Sequence, residues 1–134
     1  IRLSQPVTVD CETAKALKTW VDRGIIPAVG GKGGGIKRLE IMGSYACRPR
    51  NNQRGEKLSE HAFGNAIDLG GVTLRDGSTY TVLRDWKRQN KMMSAIHASA
   101  CGPFNTVLGP RANRFHQDHI HVDVGRHGGG AYCK

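Results

Sequence analysis

The chain has 134 residues, a length that predicts one domain, residues 1–134, built around a single hydrophobic core. Twenty Lys and Arg against eleven Asp and Glu give a formal net charge of +9, which would attract a polyanion such as a cell-wall polymer or a nucleic acid. Nucleic-acid binding is disfavoured because the basic residues are scattered, aromatic residues are few and no helix-turn-helix, zinc-finger or stacking motif is present.

The chain carries no stretch of apolar residues long enough to span a bilayer, so we expect no membrane span. It begins without Met and without a signal-peptide pattern, which is typical of a processed or trimmed soluble domain. An exported location would require a signal upstream of it. We expect this domain to be a monomer.

The first predicted element is a helix over residues 11–21, where Ala14, Leu17 and Trp20 recur at helical spacing. The glycine run at 30–35 predicts a flexible loop. It does not have the Gly-x-x-x-x-Gly-Lys-Ser/Thr pattern of a phosphate-binding loop. Residues 36–47 are then typical of a strand.

A short strand around Asp68 precedes a hairpin over residues 72–82 that turns at Asp76-Gly77. Helical spacing of Met92, Met93 and Ile96 predicts a second helix over residues 86–100. With further strands expected near Val107 and His121, the pattern predicts an α+β fold in which helices flank a small antiparallel sheet.

The four cysteines are widely separated and form no Cys-x-x-Cys pair, which disfavours a structural zinc site and favours disulfides. Sequence alone does not choose among the three possible connectivities. We prefer Cys11 with Cys47, which would tie the first helix to the following strand, and Cys101 with Cys133, which would hold the tail. Such bridges imply an oxidising compartment, and the periplasm or another exported location fits.

Two segments combine imidazoles with carboxylates: residues 61–68 and residues 116–123. Polar and apolar residues alternate in the second segment, so His119, His121 and Asp123 should share one face of a strand. In the first segment, Gly64 permits a tight turn, and a strand that follows it could return Asp68 to the level of His61.

Catalytic zinc usually has three protein ligands and an open fourth position for water, and His61, Asp68 and His121 can supply that set. An isolated His is more often a surface or core residue than a ligand, but the clustering favours metal binding. Copper or nickel capture by a His-rich segment is the alternative. We expect His97 and His127 to lie on the surface, outside the cluster.

The same residues resemble a known signature. The zinc peptidases that cut peptidoglycan peptides, a group with D-Ala-D-Ala carboxypeptidases and penicillin-insensitive murein endopeptidases, have a motif similar to Ser59-x-His61-x-x-Gly64-x-Ala66-x-Asp68 followed by His119-x-His121. More narrowly, residues 48–68, 101–104 and 116–123 resemble the bacterial extensin-like C-terminal domain family. That resemblance covers nearly all of the chain.

The resemblance implies an active-site cleft like that of the zinc peptidases, with one Zn²⁺ held by His61, Asp68 and His121. It also implies that His119 is a catalytic residue that does not bind the metal. His116 matches an extra active-site His of the penicillin-insensitive endopeptidases.

Asp118 stands where the carboxypeptidases have a catalytic Glu, so Asp118 and His119 compete for the role of base. If the strand pleat extends back to Asp118, its side chain points away from His119 and His121, and His119 is favoured. A bulge would reverse that preference.

Three further residues are candidates for binding substrate. Arg48 could pair bidentately with a stem-peptide carboxylate, although Arg50 and Arg54 nearby make an ordinary surface Arg equally consistent with composition. Ser59 could hydrogen-bond substrate or cap the turn before His61. Gln53 sits where a Gln often follows in the similar peptidases.

Zinc in such a site lowers the pKa of its bound water toward neutrality and polarises the scissile carbonyl. The resemblance therefore implies a zinc endopeptidase that acts on cross-linked peptidoglycan stem peptides, with L,D (3-3) cross-links as the first expectation. Alternatives are a D,D-endopeptidase, a D,D-carboxypeptidase, which usually needs the Glu that is absent here, and a non-catalytic zinc-containing wall-binding module.

Overall fold

The computed structural model describes residues 1–44, 60–126 and 130–134. Its strands are Arg2–Leu3 (β1), Ile36–Gly43 (β2), Ala66–Leu74 (β3), Thr79–Thr81 (β4), Thr106–Leu108 (β5), Ile120–Asp123 (β6) and Tyr132–Cys133 (β7). Its α-helices are Cys11–Trp20 (α1), Ile26–Val29 (α2), Val82–Asp85 (α3) and Asn90–Ala100 (α4). The seven strands form one sheet in the order β1-β2-β3-β6-β5-β7, with β4 paired to β3.

The sheet is mixed, so the predicted small antiparallel sheet is wrong. β1 pairs in parallel with β2, and β5 pairs in parallel with β7, whereas the other neighbours are antiparallel. Parallel neighbours need a crossover connection, and α1 and α2 lie in the connection between β1 and β2. Periodicity identifies strands but does not reveal the direction in which distant segments pair, so it could not predict the parallel edges.

The predicted helices are present with different ends. α1 begins after Asp10, whose Oδ1 accepts a hydrogen bond from the Thr13 amide at 2.8 Å. The chain then continues through a π-helical turn, Val21–Ile25, into α2. The predicted helix at 86–100 begins only at Asn90, because residues 86–89 form a turn between α3 and α4. The hairpin turning at Asp76-Gly77 is confirmed by the antiparallel pairing of β3 with β4.

The helices pack onto the sheet through a single hydrophobic core. Trp20 of α1 is 1% exposed, and its indole Nε1 donates to the Ile96 carbonyl of α4 at 2.9 Å. Its ring also meets Phe104 edge-on, with 5.7 Å between centroids. The indole therefore joins the two helices to the segment that leads into β5.

Gly70 is an extra residue in the central strand β3, because consecutive residues of β2 pair with Gly71 and Leu69 and skip Gly70. A Cβ at Gly70 would lie 2.8 Å from the Met42 sulfur, so glycine suits the bulge. One extra residue reverses the alternation of side chains. Both halves of β3 can therefore direct apolar side chains toward the core, while the Asp68 side chain points to the opposite face.

Cys101 and Cys133 form the predicted disulfide, which ties the end of α4 to β7. Cys11 is exposed and has no disulfide partner among the described residues. Its expected partner, Cys47, lies outside them, so that pairing stays a prediction. No helix in the described part of the chain is long and apolar enough to cross a membrane.

Candidate metal centre

Three buried side chains from separate elements converge on the face of β3 and β6 opposite the core. Asp68 of β3 lies directly across from His121 of β6, and His61 comes from the 3-10 turn Glu60–Phe63. Asp68 Oδ1 is 3.1 Å from both His61 Nε2 and His121 Nδ1, and the two nitrogens are 3.2 Å apart. Ligands about 2.0 Å from a tetrahedral metal lie about 3.3 Å from one another. The group could therefore hold a metal ion.

The turn that carries His61 closes at Gly64, as the sequence predicts. Gly64 has a φ of +69°, a conformation that side chains disfavour, and its amide donates to the His61 carbonyl at 3.2 Å. The Gly64 carbonyl accepts from the Asp10 amide at 2.7 Å. The cap of α1 therefore holds the turn in place beside β3.

Hydrogen bonds on the far side of each imidazole fix which nitrogen faces the site. His61 Nδ1 lies 2.6 Å from the Ser44 carbonyl, which can only accept, so Nδ1 donates and Nε2 keeps its lone pair when the ring is neutral. His121 Nε2 lies 2.7 Å from a carboxylate oxygen of Asp123, which leaves the lone pair on Nδ1. Two lone pairs and a carboxylate oxygen of Asp68 thus meet, an arrangement that a metal cation or a shared proton stabilises.

Without a metal, this site favours a proton. Burial acts against a charge on His121, but hydrogen bonds to Asp123 and Asp68 outweigh it and raise the pKa of His121 to about 9. Burial likewise opposes ionisation of Asp68, yet hydrogen bonds to His121 and His61 hold its pKa well below the usual range. A bound metal would take the place of that proton, because imidazole binds metals in its neutral form.

Space for the Asp68 carboxylate depends on Gly43 of β2. These two residues face each other in the register, and a Cβ at Gly43 would lie 3.3 Å from Asp68 Oδ2. A side chain at position 43 would therefore crowd the carboxylate.

Two further imidazoles lie beside the three-residue group. His119 Nε2 is 3.7 Å from Asp68 Oδ1, and the His116 ring centroid is 5.0 Å from that of His119 and 6.0 Å from that of His121. The structure thus brings together the metal-ligand and histidine candidates that the sequence identified. His121 and Asp123 share one face of β6, as alternation predicts, whereas His119 lies just before the strand begins.

Asp118 does not point away from His119, because β6 begins at Ile120 and the strand pleat does not extend back to it. Its Oδ1 lies 2.7 Å from His119 Nδ1, and 48% of its side chain is exposed. Asp118 can therefore orient the His119 ring.

His116 is held by Asn113, a residue that the sequence analysis did not single out. Asn113 Oδ1 accepts from His116 Nδ1 at 2.8 Å and from the Phe115 amide at 2.9 Å, so the Nδ1 atom carries the proton. Burial and the neighbouring His119 and His121 lower the pKa of His116 to about 4. The spacing Asn-x-x-His at the start of a 3-10 turn is the one signal that could have identified Asn113.

Asp123 is 2% exposed and its Oδ2 lies 2.7 Å from His121 Nε2, so this carboxylate is buried beside a metal-ligand candidate. The substrate candidates Arg48, Gln53 and Ser59 lie outside the described residues, so their roles stay predictions. The active-site cleft implied by the resemblance also stays a prediction. His127 also lies outside them. His97 is half-buried with its ring 5.6 Å from that of Trp86, so the expectation of a surface residue is wrong.

Fold and site together define a mixed α/β domain with a buried His-Asp-His group that could bind a metal. A family profile described as Extensin-like protein C-terminus matches residues 1–134, so the chain belongs to this family. Comparison with curated proteins and with solved structures gave no match.

Proposed function

We propose that this domain is a zinc-dependent peptidoglycan endopeptidase of the cell envelope that hydrolyses amide bonds in cross-linked stem peptides, with L,D (3-3) cross-links as its first substrate. The observation that carries the proposal is the convergence of His61 Nε2, Asp68 Oδ1 and His121 Nδ1 within 3.2 Å of one another. The motif resemblance to murein peptidases supports the choice of substrate, and the Cys101–Cys133 disulfide supports an oxidising compartment.

The donor set of two imidazoles and one carboxylate is one that zinc accepts in catalytic sites. The chemistry that a bound zinc supplies there is a water of lowered pKa and polarisation of the scissile carbonyl. The protein contributes two hydrogen bonds, from His61 to Ser44 and from His121 to Asp123. These bonds orient the ligand nitrogens toward the site in the metal-free protein.

His119 is the residue that we assign to proton transfer. Its Nδ1 hydrogen faces the Asp118 carboxylate, so its Nε2, which lies on the side of Asp68, is free to take the proton of the attacking water and return it to the leaving amine. The Asp118 carboxylate stabilises the imidazolium that forms between those two events.

His116 has a different part in the proposal. With its pKa lowered to about 4, it is neutral at ordinary pH, and the bond from Nδ1 to Asn113 leaves Nε2 as an acceptor. A neutral acceptor beside the site suits an amide N–H of the stem peptide rather than proton transfer at neutral pH.

The test is digestion of purified muropeptides by the zinc-loaded protein and by His119→Ala, with products identified by mass and zinc measured per chain. Dimers with 3-3 and with 4-3 cross-links and a pentapeptide monomer are supplied separately. We expect cleavage of 3-3 dimers by the native protein, and loss of at least about a hundredfold in rate with zinc retained in the variant.

Cleavage of 4-3 dimers instead would move the activity to a D,D-endopeptidase, and release of D-Ala from the monomer would make it a carboxypeptidase. Stoichiometric zinc without cleavage of any substrate would leave a wall-binding module and overturn the proposal. Gln117→Ala separates loss of the His119 imidazole from disturbance of the loop before it, because the Gln117 side-chain amide donates to the backbone carbonyls of Pro110 and Asn113 in that loop.

A further inference from the structure

Residues 86–117 contain five Lys and Arg and no Asp or Glu. More than half of the net charge of +9 therefore comes from this one stretch. All five side chains belong to exposed residues. We call this set the cation face: Lys87, Arg88, Lys91, Arg111 and Arg114.

The fold brings the two ends of this stretch together. The Arg111 guanidinium lies over the Trp86 ring, 5.6 Å from its centroid, although Trp86 is in the α3–α4 turn and Arg111 in the loop after β5. Asn90, the first residue of α4, bonds back to the Trp86 carbonyl at 3.4 Å. Burial is the main cause of the lowered pKa of His97, and the charge of Arg111 is the second cause. The His97 ring contacts the same indole.

The cation face keeps its charge. None of its five residues forms an ion pair with the carboxylates of residues 1–44, 60–126 or 130–134. The nearest acid in sequence, Asp85, is 4% exposed and is bonded to the Arg84 guanidinium and the Thr81 amide, each at 2.9 Å, and Arg88 interacts with it only through its electrostatic field. Within the described part of the chain, no ion pair neutralises the positive charge of this face.

The same loop leads directly into the metal centre. Gln117 closes it with hydrogen bonds to the carbonyls of Pro110 and Asn113, at 2.8 and 2.9 Å. Asn113 in turn holds His116. Arg111 and Arg114 thus lie on the same loop as Asn113 and His116, and this loop connects the cation face to the metal-ligand candidates.

We propose that the cation face binds the peptidoglycan polymer through its stem-peptide carboxylates and holds it beside the metal site. The choice of partner rests on the proposed function. Guanidinium groups pair well with carboxylates, and a repeating polymer can engage several cations at once. A single-stranded nucleic acid fits less well, because it requires open aromatic rings for stacking, whereas Trp86 is half-buried between Arg111 and His97.

The test is co-sedimentation with isolated peptidoglycan sacculi across a salt series. The variant Lys87→Gln/Arg88→Gln/Arg111→Gln is compared with Lys15→Gln/Arg23→Gln/Lys37→Gln, which removes the same charge from exposed residues elsewhere. We expect the first to weaken binding at low salt by about tenfold or more and the second by less than about twofold.

Equal weakening in the two variants would overturn the inference, since net charge alone would then explain binding. Tighter binding to DNA than to sacculi, with the same dependence on Lys87, Arg88 and Arg111, would assign the face to nucleic acid and also overturn it. If the native protein cuts no dimer but its sedimentation with sacculi still depends on these three cations, the proposed activity fails while the binding face stands.

Discussion

His121 Nε2 lies 2.7 Å from Oδ2 of Asp123, and this contact decides which nitrogen of the imidazole faces Asp68. The residues are two apart on β6 and point to the same side of the strand. Asp123 also accepts the Gly125 amide at 3.0 Å, so its carboxylate is fixed where the strand ends. The orientation of one metal-ligand candidate is thus set by its neighbour on the same strand.

Replacing Asp123 with Ala should weaken zinc binding by about 10- to 100-fold, because the His121 ring loses the acceptor that fixes its tautomer and orientation. Titration against a competing chelator measures the change. Asp118→Ala is the control, since Asp118 contacts His119 and none of the three ligand candidates in the structure. Equal affinity in native protein and Asp123→Ala would contradict the role given to Asp123.

Zinc should stabilise the fold. A ligand that binds only the native state at one hundred times its dissociation constant raises the free energy of unfolding by about 2.7 kcal/mol. Denaturant unfolding with and without zinc measures this difference. In His61→Ala, which removes one of the three converging atoms, the zinc-dependent part should largely vanish, and its persistence would place the metal elsewhere.

The metal-free protein should lose stability as the pH rises from 6.5 to 9. The pKa of His121 is raised from 6.5 to about 9 in the fold, so the native state binds this proton more tightly than the unfolded chain. Its contribution is complete below pH 6.5 and is lost as the pH rises to 9, a change on the order of 1–3 kcal/mol. Denaturant unfolding in the presence of a chelator, at a series of pH values from 6.5 to 9, measures this change. His121→Gln is the reference, because its stability should not show this pH dependence.

Zinc affinity should rise as the pH increases from 6.5 to 9, because the metal must displace the His121 proton. The lowered pKa of Asp68 affects stability only at acid pH. Its contribution to the free energy of unfolding is present above pH 3.8 and is lost on acidification below that value. Zinc affinity that falls between pH 6.5 and 9 would contradict His121 as a ligand.

Asn113→Ala should release the His116 ring from its fixed tautomer. If the enzyme activity is as proposed, the cleavage rate should fall about 3- to 10-fold with zinc retained, in line with one neutral hydrogen bond of about 1 kcal/mol. Nitrogen chemical shifts of His116 provide a readout that does not require activity, and they should move from the Nδ1–H form toward a mixture. Gln117→Ala tests whether loss of the loop structure alone produces the same change.

Removing the Cys101–Cys133 disulfide should cost about 3 to 4 kcal/mol, the chain-entropy value for a loop that joins residues 32 apart. Denaturant unfolding of Cys101→Ala/Cys133→Ala against the oxidised native protein measures the loss. Cys11→Ala is measured beside it: a free Cys11 thiol predicts a change of less than about 0.5 kcal/mol because the residue is exposed, whereas the predicted bridge to Cys47 would give a loss of about 2 to 4 kcal/mol.

The sequence by itself determined the metal-ligand candidates and the faces on which they lie. Alternation in residues 119–123 placed His121 and Asp123 on one side of a strand, and Gly64 marked the turn after His61. These features depend on local backbone periodicity and on glycine conformation, which a short segment specifies alone. The helix starting at residue 11 and the hairpin at Asp76-Gly77 were predictable for the same reason.

Only the tertiary structure decided how distant segments meet. The parallel pairing of β1 with β2 and of β5 with β7, the cross-strand pairing of Asp68 with His121 and the Gly70 bulge depend on contacts far apart in the chain. So does the position of Arg111 over Trp86. Local propensity carries no information on such pairings, because they are selected by the burial of the whole core and by the connections between elements.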